Sequence, residues 1–218
     1  MYFDTQALIL KSEPVAEHDY LIRALSEDCG ILTARLRGVR RGSSRLKIFK
    51  EPGVFADMHL WGDPGHGGVC TFLTGRALED FGFVRRDMES WESFLGILEF
   101  TRLFSIPFDF RSREKLQLIL QTLKRGVFTE ESLRPALFLK IRLKILELSG
   151  WKFSDSETAR RFLDAKIREF CRVFEEGSIP PLDEESRRAI EQILGLYTTS
   201  LLERKELRDE SAHIPSGR

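Results

Sequence analysis

Residues 35–50 read RLRGVRRGSSRLKIFK, a stretch holding Arg35, Arg37, Arg40, Arg41, Arg45, Lys47 and Lys50 with no acidic residue among them. A guanidinium is a planar fork that donates two parallel hydrogen bonds to one phosphate, whereas an ammonium acts as a point charge. Gly42, Ser43 and Ser44 keep the backbone open between the arginines, and the two hydroxyls add donors. Surface charge that serves solubility alone is mixed in sign. A run of one sign repels itself, so this one is built for a polyanion, with nucleic acid the first candidate. The expected contacts are Arg35, Arg37, Arg40, Arg41, Ser44, Arg45, Lys47 and Lys50. Over the whole chain of 218 residues, 34 basic side chains balance 34 acidic ones, so the positive field is local rather than global.

Other residues that could do chemistry do not converge. His18, His59, His66 and His213 form no HxxxH or HExxH pair, and Cys29, Cys70 and Cys171 form no CxxC pair. A catalytic metal needs at least three convergent ligands, and no such spacing is present. Glu17, His18 and Asp19 are adjacent, but neighbours on a strand point to opposite faces. The glycine-rich GDPGHGG (62–68) lacks the GxxxxGK[ST] spacing of a phosphate loop and joins two strands, so it reads as a hairpin tip whose His66 could meet a base. Neither Ser43 nor Ser44 has an identifiable base. The chain is expected to be non-enzymatic and to need no cofactor. Lys140 and Lys144, one helical turn apart, are a second candidate: an apolar groove rimmed by such cations suits an acidic peptide ending in an aromatic residue.

These groups must be carried by two kinds of element. Short apolar runs at 5–13, 18–28, 30–39, 52–61 and 68–78 are punctuated by Pro14, Gly30, Gly53 and the 62–68 turn, the pattern of a small all-β unit. Five strands with a longer third connection predict a five-stranded OB-fold barrel. In the third strand Leu32, Ala34 and Leu36 form the interior, and Arg35 and Arg37 face outward. From residue 87 the period becomes helical, with helices expected over 87–105, 111–125, 129–149, 157–175 and onward from Asp183, a good N-cap. The third, apolar around most of its cylinder (Leu133, Leu137, Leu139, Ile141, Leu143, Ile145, Leu146, Leu148), is expected at the centre and is ended by Gly150. The predicted class is therefore α+β: an OB-fold nucleic-acid-binding domain over 1–82, an all-α helical bundle over 83–205, and a flexible tail over 206–218. No apolar run approaches the roughly 20 residues that span a bilayer, and the odd, scattered thiols suit a reducing, cytoplasmic setting.

Four pieces in order, ALILKSEPVAEHDYLIRALSEDCGIL (7–32), RGVRRGSSRL (37–46), GRALEDFGFVRRD (75–87) and KIRLKILELSGW (140–151), resemble the bacterial RecO recombination-mediator family. The resemblance covers the first 150 residues well and the remainder loosely. It implies an N-terminal OB-fold and a C-terminal helical domain in a nucleoid-associated protein of DNA repair. It further implies binding of single- and double-stranded DNA, annealing of complementary strands, and work with RecR. The family also contacts the acidic tail of single-strand-binding protein, so that RecA is loaded onto coated DNA. The family's basic segment matches Arg37, Arg40, Arg41, Ser44 and Arg45. Two rival readings share the same residues: an RNA-binding OB module, which would read the 2′-hydroxyl, and a metal-dependent nuclease.

One departure stands out. Many members of that family hold zinc through four cysteines after the glycine–aromatic pair, whereas Trp151 here is followed by no cysteine until Cys171. Metal analysis of the purified protein is expected to find no stoichiometric zinc, and a one-to-one content would overturn the zinc-free reading.

Overall fold

The unbroken apolar run Ala7-Leu8-Ile9-Leu10 carries the plan of the molecule. In the computed structural model, which describes residues 1–40, 44–64, 68–86, 88–126, 134–163, 165–176 and 183–212, this run lies in strand β1 (Tyr2–Pro14). Over residues 7–10 both faces of β1 are buried. Ala7 and Ile9 point into a barrel, while Leu8 and Leu10 join a second core made with helices. A strand covered on both sides loses its polar–apolar alternation. Strand β2 (Tyr20–Ser26) repeats the arrangement, with Ile22 and Ala24 in the barrel and Leu25 against the helices.

Strands β3 (Gly30–Leu36), β4 (Phe55–Trp61) and β5 (Val69–Glu79) complete a closed ring in the order β1-β2-β3-β5-β4. All neighbours are antiparallel except β3 and β5, which run parallel. This is the OB-type barrel expected from the strand count. Leu32, Ala34, Leu36, Met58, Leu60, Cys70 and Phe72 fill it as the alternation requires. The long third connection carries a 3-10 helix, Arg45–Lys50, whose Phe49 plugs the barrel against Phe72 with ring centroids 4.8 Å apart.

Behind the barrel lie helices α1 (Met88–Leu103), α2 (Ser112–Gly126), α3 (Arg134–Leu148), α4 (Glu157–Phe162), α5 (Ala165–Glu176) and α6 (Glu184–Ala212). Helix α3 is central, as its all-round apolar surface predicts: Leu137, Leu139, Ile141, Leu143, Ile145 and Leu146 are all buried. Gly150 (φ +86°) ends it, the Trp151 amide closing back on the Leu146 carbonyl at 2.8 Å. Asp183 caps α6 as expected, accepting from the Ser186 amide at 2.8 Å. Two expectations need correction. The single helix predicted over 157–175 is two, because Leu163 adopts an extended conformation (φ −108°, ψ 139°) that turns its side chain into the core. Helix α6 also continues to Ala212, past the end expected at residue 205. Arg41, Ser43, His66, Leu133 with the 129–132 cap, the 177–182 break, and the tail from 213 lie outside the described residues.

Barrel and helices are joined by more than apolar contact. The segment 104–111 pairs with the start of β3: the Ile31 amide donates to the Ile106 carbonyl at 3.1 Å, and the Phe108 amide to Cys29 at 2.7 Å. Beneath it, Lys115, 1% exposed, donates to the Asp109 carboxylate at 2.6 Å and to the Phe104 carbonyl at 2.9 Å. Burial pushes the Lys115 ammonium below the usual lysine range, and Asp109 opposes that shift. Gly30 (φ +66°) is where the two chains touch most closely. A Cβ there would collide with the Ile106 carbonyl and stand 2.7 Å from the Asp109 amide. Gly30→Ala is therefore expected to lower stability by about 2 kcal/mol or more, through backbone strain and collision together. Gly96→Ala, in α1 with open space around it, should raise stability by about 0.5–1 kcal/mol. Urea titration of both variants checks the contrast.

Candidate nucleic-acid interface

Strand β3 ends at Leu36, and the chain turns over residues 37–40 before the 3-10 helix. The turn is built around Asp19, which precedes β2. One carboxylate oxygen of Asp19 accepts the Gly38 amide at 2.8 Å, and the other accepts from Arg35 at 2.8 Å. The Gly38 and Arg35 bonds hold the Asp19 carboxyl below its ordinary range, against the opposing effect of partial burial. The Arg40 amide donates to the His18 carbonyl at 3.2 Å, fastening the far side of the turn. Ser44 caps the 3-10 helix by accepting from the Leu46 amide at 3.3 Å.

This geometry sorts the basic segment into two sets. Arg35 faces outward as the alternation predicts, but its charge is met by Asp19. Lys50 is also internally engaged, 3.6 Å from Glu51 and 5.6 Å from the centre of the Tyr20 ring. Arg37, Arg40 and Arg45 are exposed, and none forms a direct ion pair among the described residues, although Arg37 is near enough for its charge to help depress the Asp19 carboxyl. Lys47 is exposed beside them. The organising residue, Asp19, was not foreseen as part of this site. Its signal was present in the hairpin register: pairing that sets Tyr20 opposite Leu36 brings Asp19 level with Arg37.

The second candidate pair, Lys140 and Lys144, lies on α3. Lys144 lies 2.5 Å from Glu147, and Lys140 is half-buried on the same helix. A cavity of about 470 Å³ in the helical half is lined by Leu103, Phe104, Ile106, Phe108, Trp151 and Leu201 among others, but by neither lysine. Among the described residues no three His, Cys, Asp or Glu side chains are grouped to hold a metal, and no helix is long and apolar enough to cross a membrane.

Residues 1–76, the barrel with its basic turn, match the family model described as Recombination protein O N terminal. The barrel is similar to the RecO N-terminal domain. The chain is also 25% identical over 147 residues to the DNA repair protein RecO of Thermodesulfovibrio yellowstonii, in a match covering 65% of this chain and 56% of that one. It thus spans little more than half the length of that relative. The RecO resemblance drawn from residues 7–32 and 37–46 agrees with both matches: the first 76 residues are similar to the RecO N-terminal family, and 147 residues are similar to a DNA repair protein RecO. Within the barrel, the Asp19 anchor has a pH signature. A depressed folded-state value means that the carboxylate's stabilisation is fully present above the ordinary 3.8 and is lost as pH falls through the lower folded value. Asp19→Asn should accordingly be less stable than the parent at neutral pH, with the gap closing as the pH falls below the ordinary 3.8 and the parent's own carboxyl protonates. Parallel urea titrations at neutral pH and below that value measure the gap.

Proposed function

We propose that this protein is a non-enzymatic DNA-binding mediator whose barrel grips the sugar–phosphate chain through Arg37, Arg40 and Arg45. Lys47 adds charge, and Ser44 retains a hydroxyl proton to donate. The observation that carries this reading is the set of three exposed guanidiniums that form no direct ion pair among the described residues, on a turn anchored by the Asp19–Gly38 hydrogen bond. A fixed turn loses little conformational entropy when phosphates arrive. Arg35 and Lys50, already engaged, lie at the margin of the contact and shape the turn rather than supply its net charge. Arg41 belongs to the same segment and is included in the proposed contact by sequence.

Phosphate contacts of this kind position a nucleic acid without reading its bases. Neutralising the backbones of two strands lowers their mutual repulsion, which favours annealing of complementary sequences. In this reading the barrel (1–82) handles DNA, single- and double-stranded, while the helical half (83–205) docks protein partners. RecR, the tail of single-strand-binding protein and, indirectly, RecA are the partners that the family resemblance implies.

Replacing Arg37, Arg40 and Arg45 together with Ala tests the proposal. Each lost phosphate contact removes about 0.7 from the log–log salt slope for single strands, so the slope should flatten by about 2. Affinity for single-stranded and duplex oligonucleotides should fall together, and the melting temperature should stay unchanged or rise slightly as like charges are removed. An unaltered affinity and slope would count against these residues as the DNA contact.

A further inference from the structure

The outer surface of the barrel is not uniformly polar. On β4, Ala56, Met58 and Leu60 point inward, which turns Trp61 outward, half exposed at 50%. On β1, Tyr2 is outward and 69% exposed. The ladder registers set Tyr2 opposite Trp61, Trp61 opposite Thr71 on β5, and Thr71 opposite Arg35 on β3. Directly paired residues share a face of the sheet. One transverse row therefore runs Tyr2, Trp61, Thr71, Arg35, from two exposed rings to the strand that feeds the basic turn. With strands about 4.8 Å apart, Trp61 stands about 10 Å from Arg35 at the level of the backbone. Val69, also exposed, lies at the start of β5 opposite Thr33 and extends the apolar end of this surface.

The rings are held in place. Tyr2 stacks on His59 with the ring planes 6° apart and centroids 5.9 Å apart, and His59 is itself bonded to Asp4 at 2.7 Å. The same Asp4 begins an acidic surface one row further along, where Asp4, Glu27, Asp28 and Asp57 line a groove with His59 and Arg76. Carboxylates on one side and guanidiniums on the other leave a polyanionic chain only one approach. Its phosphates go to Arg37 and Arg40, and whatever lies over Trp61 and Tyr2 must be apolar and uncharged. Nucleobases meet that description. Bases of a single strand have free faces to stack on an aromatic ring, whereas those of an intact duplex do not.

We infer that Trp61 and Tyr2 form a base-stacking platform that receives unpaired bases of a single-stranded nucleic acid whose phosphates lie on the Arg37–Arg45 segment. This inference rests on the nucleic-acid reading of that segment and adds a preference to it: the arginines serve both strand states, and the rings serve the single strand alone. A face this apolar beside a cationic turn also matches a strand-annealing sequence of events, because stacked bases are held apart from their complements until pairing displaces them from the rings.

Fluorescence anisotropy with labelled oligothymidylate and with a blunt duplex of equal length, on the full chain, separates the two contributions. Trp61→Ala is expected to weaken oligothymidylate binding about tenfold or more, leaving duplex affinity and the salt slope unchanged, with Trp61→Phe retaining most of the affinity. Oligothymidylate should also quench the parent's tryptophan emission, and Trp61→Phe, whose half-exposed position tolerates the swap, should lose that quench. The inference is overturned if Trp61→Ala and Tyr2→Ala both leave oligothymidylate affinity intact while the triple arginine variant weakens it, and the phosphate reading then stands alone. Equal weakening for single strand and duplex overturns it too, as does a change in sedimentation on Trp61→Ala without loss of affinity, which would make the rings a contact between copies of the chain. Weakening by Trp61→Ala beside an unaffected arginine variant would keep the platform and remove the phosphate assignment.

Discussion

Everything in this molecule follows from a strand pair that is buried on both sides. The outer face of β1 and β2 would be solvent in a free-standing barrel, but Leu8, Leu10 and Leu25 give it an apolar surface that helices α1 and α2 cover. Area of that kind contributes about 25 cal/mol per Å² removed from water. That association decides which part of the barrel remains open. What is left to solvent is the β3–β5–β4 side and the turn after β3, where the basic residues and the exposed rings lie.

On that open side the electrostatics are divided rather than uniform. Asp19 holds the turn by accepting from Gly38 and Arg35, so one acidic residue at the start of β2 organises a cationic loop. The cost is one guanidinium diverted from external ligands. The gain is a turn whose remaining arginines project from a fixed backbone. Further round the barrel, Asp4 and Asp57 reverse the sign of the surface, with Asp57 engaging Gln6 at 2.8 Å and Arg76 at 3.0 Å. A balanced net charge over the whole chain thus conceals a surface with a direction to it.

Much of the fold was legible because the strongest signals are local. Leu32, Ala34 and Leu36 announced the barrel interior by alternation, Leu137 to Leu146 announced a central helix by having no polar face, and Gly150 and Asp183 marked helix ends by their own conformational preferences. What escaped depends on residues distant in sequence. The break at Leu163 follows from tertiary burial of one side chain, which periodicity within residues 157–175 cannot register. The role of Asp19 requires the β2–β3 register, and the Tyr2–Trp61–Arg35 row requires three registers at once. For Lys140 and Lys144, helix spacing placed them one turn apart but carries no information about which neighbouring surface lies beside them.

Closure of the ring has a bearing on assembly. With β1 hydrogen-bonded to β4, and β3 to β5 over Thr33–Arg35, every strand of the barrel has a partner on both sides along part of its length, which shortens the edge available to extended peptides. Closure of this kind disfavours edge-to-edge polymerisation between copies of the chain and leaves side-chain shape and charge as the main features that its barrel presents.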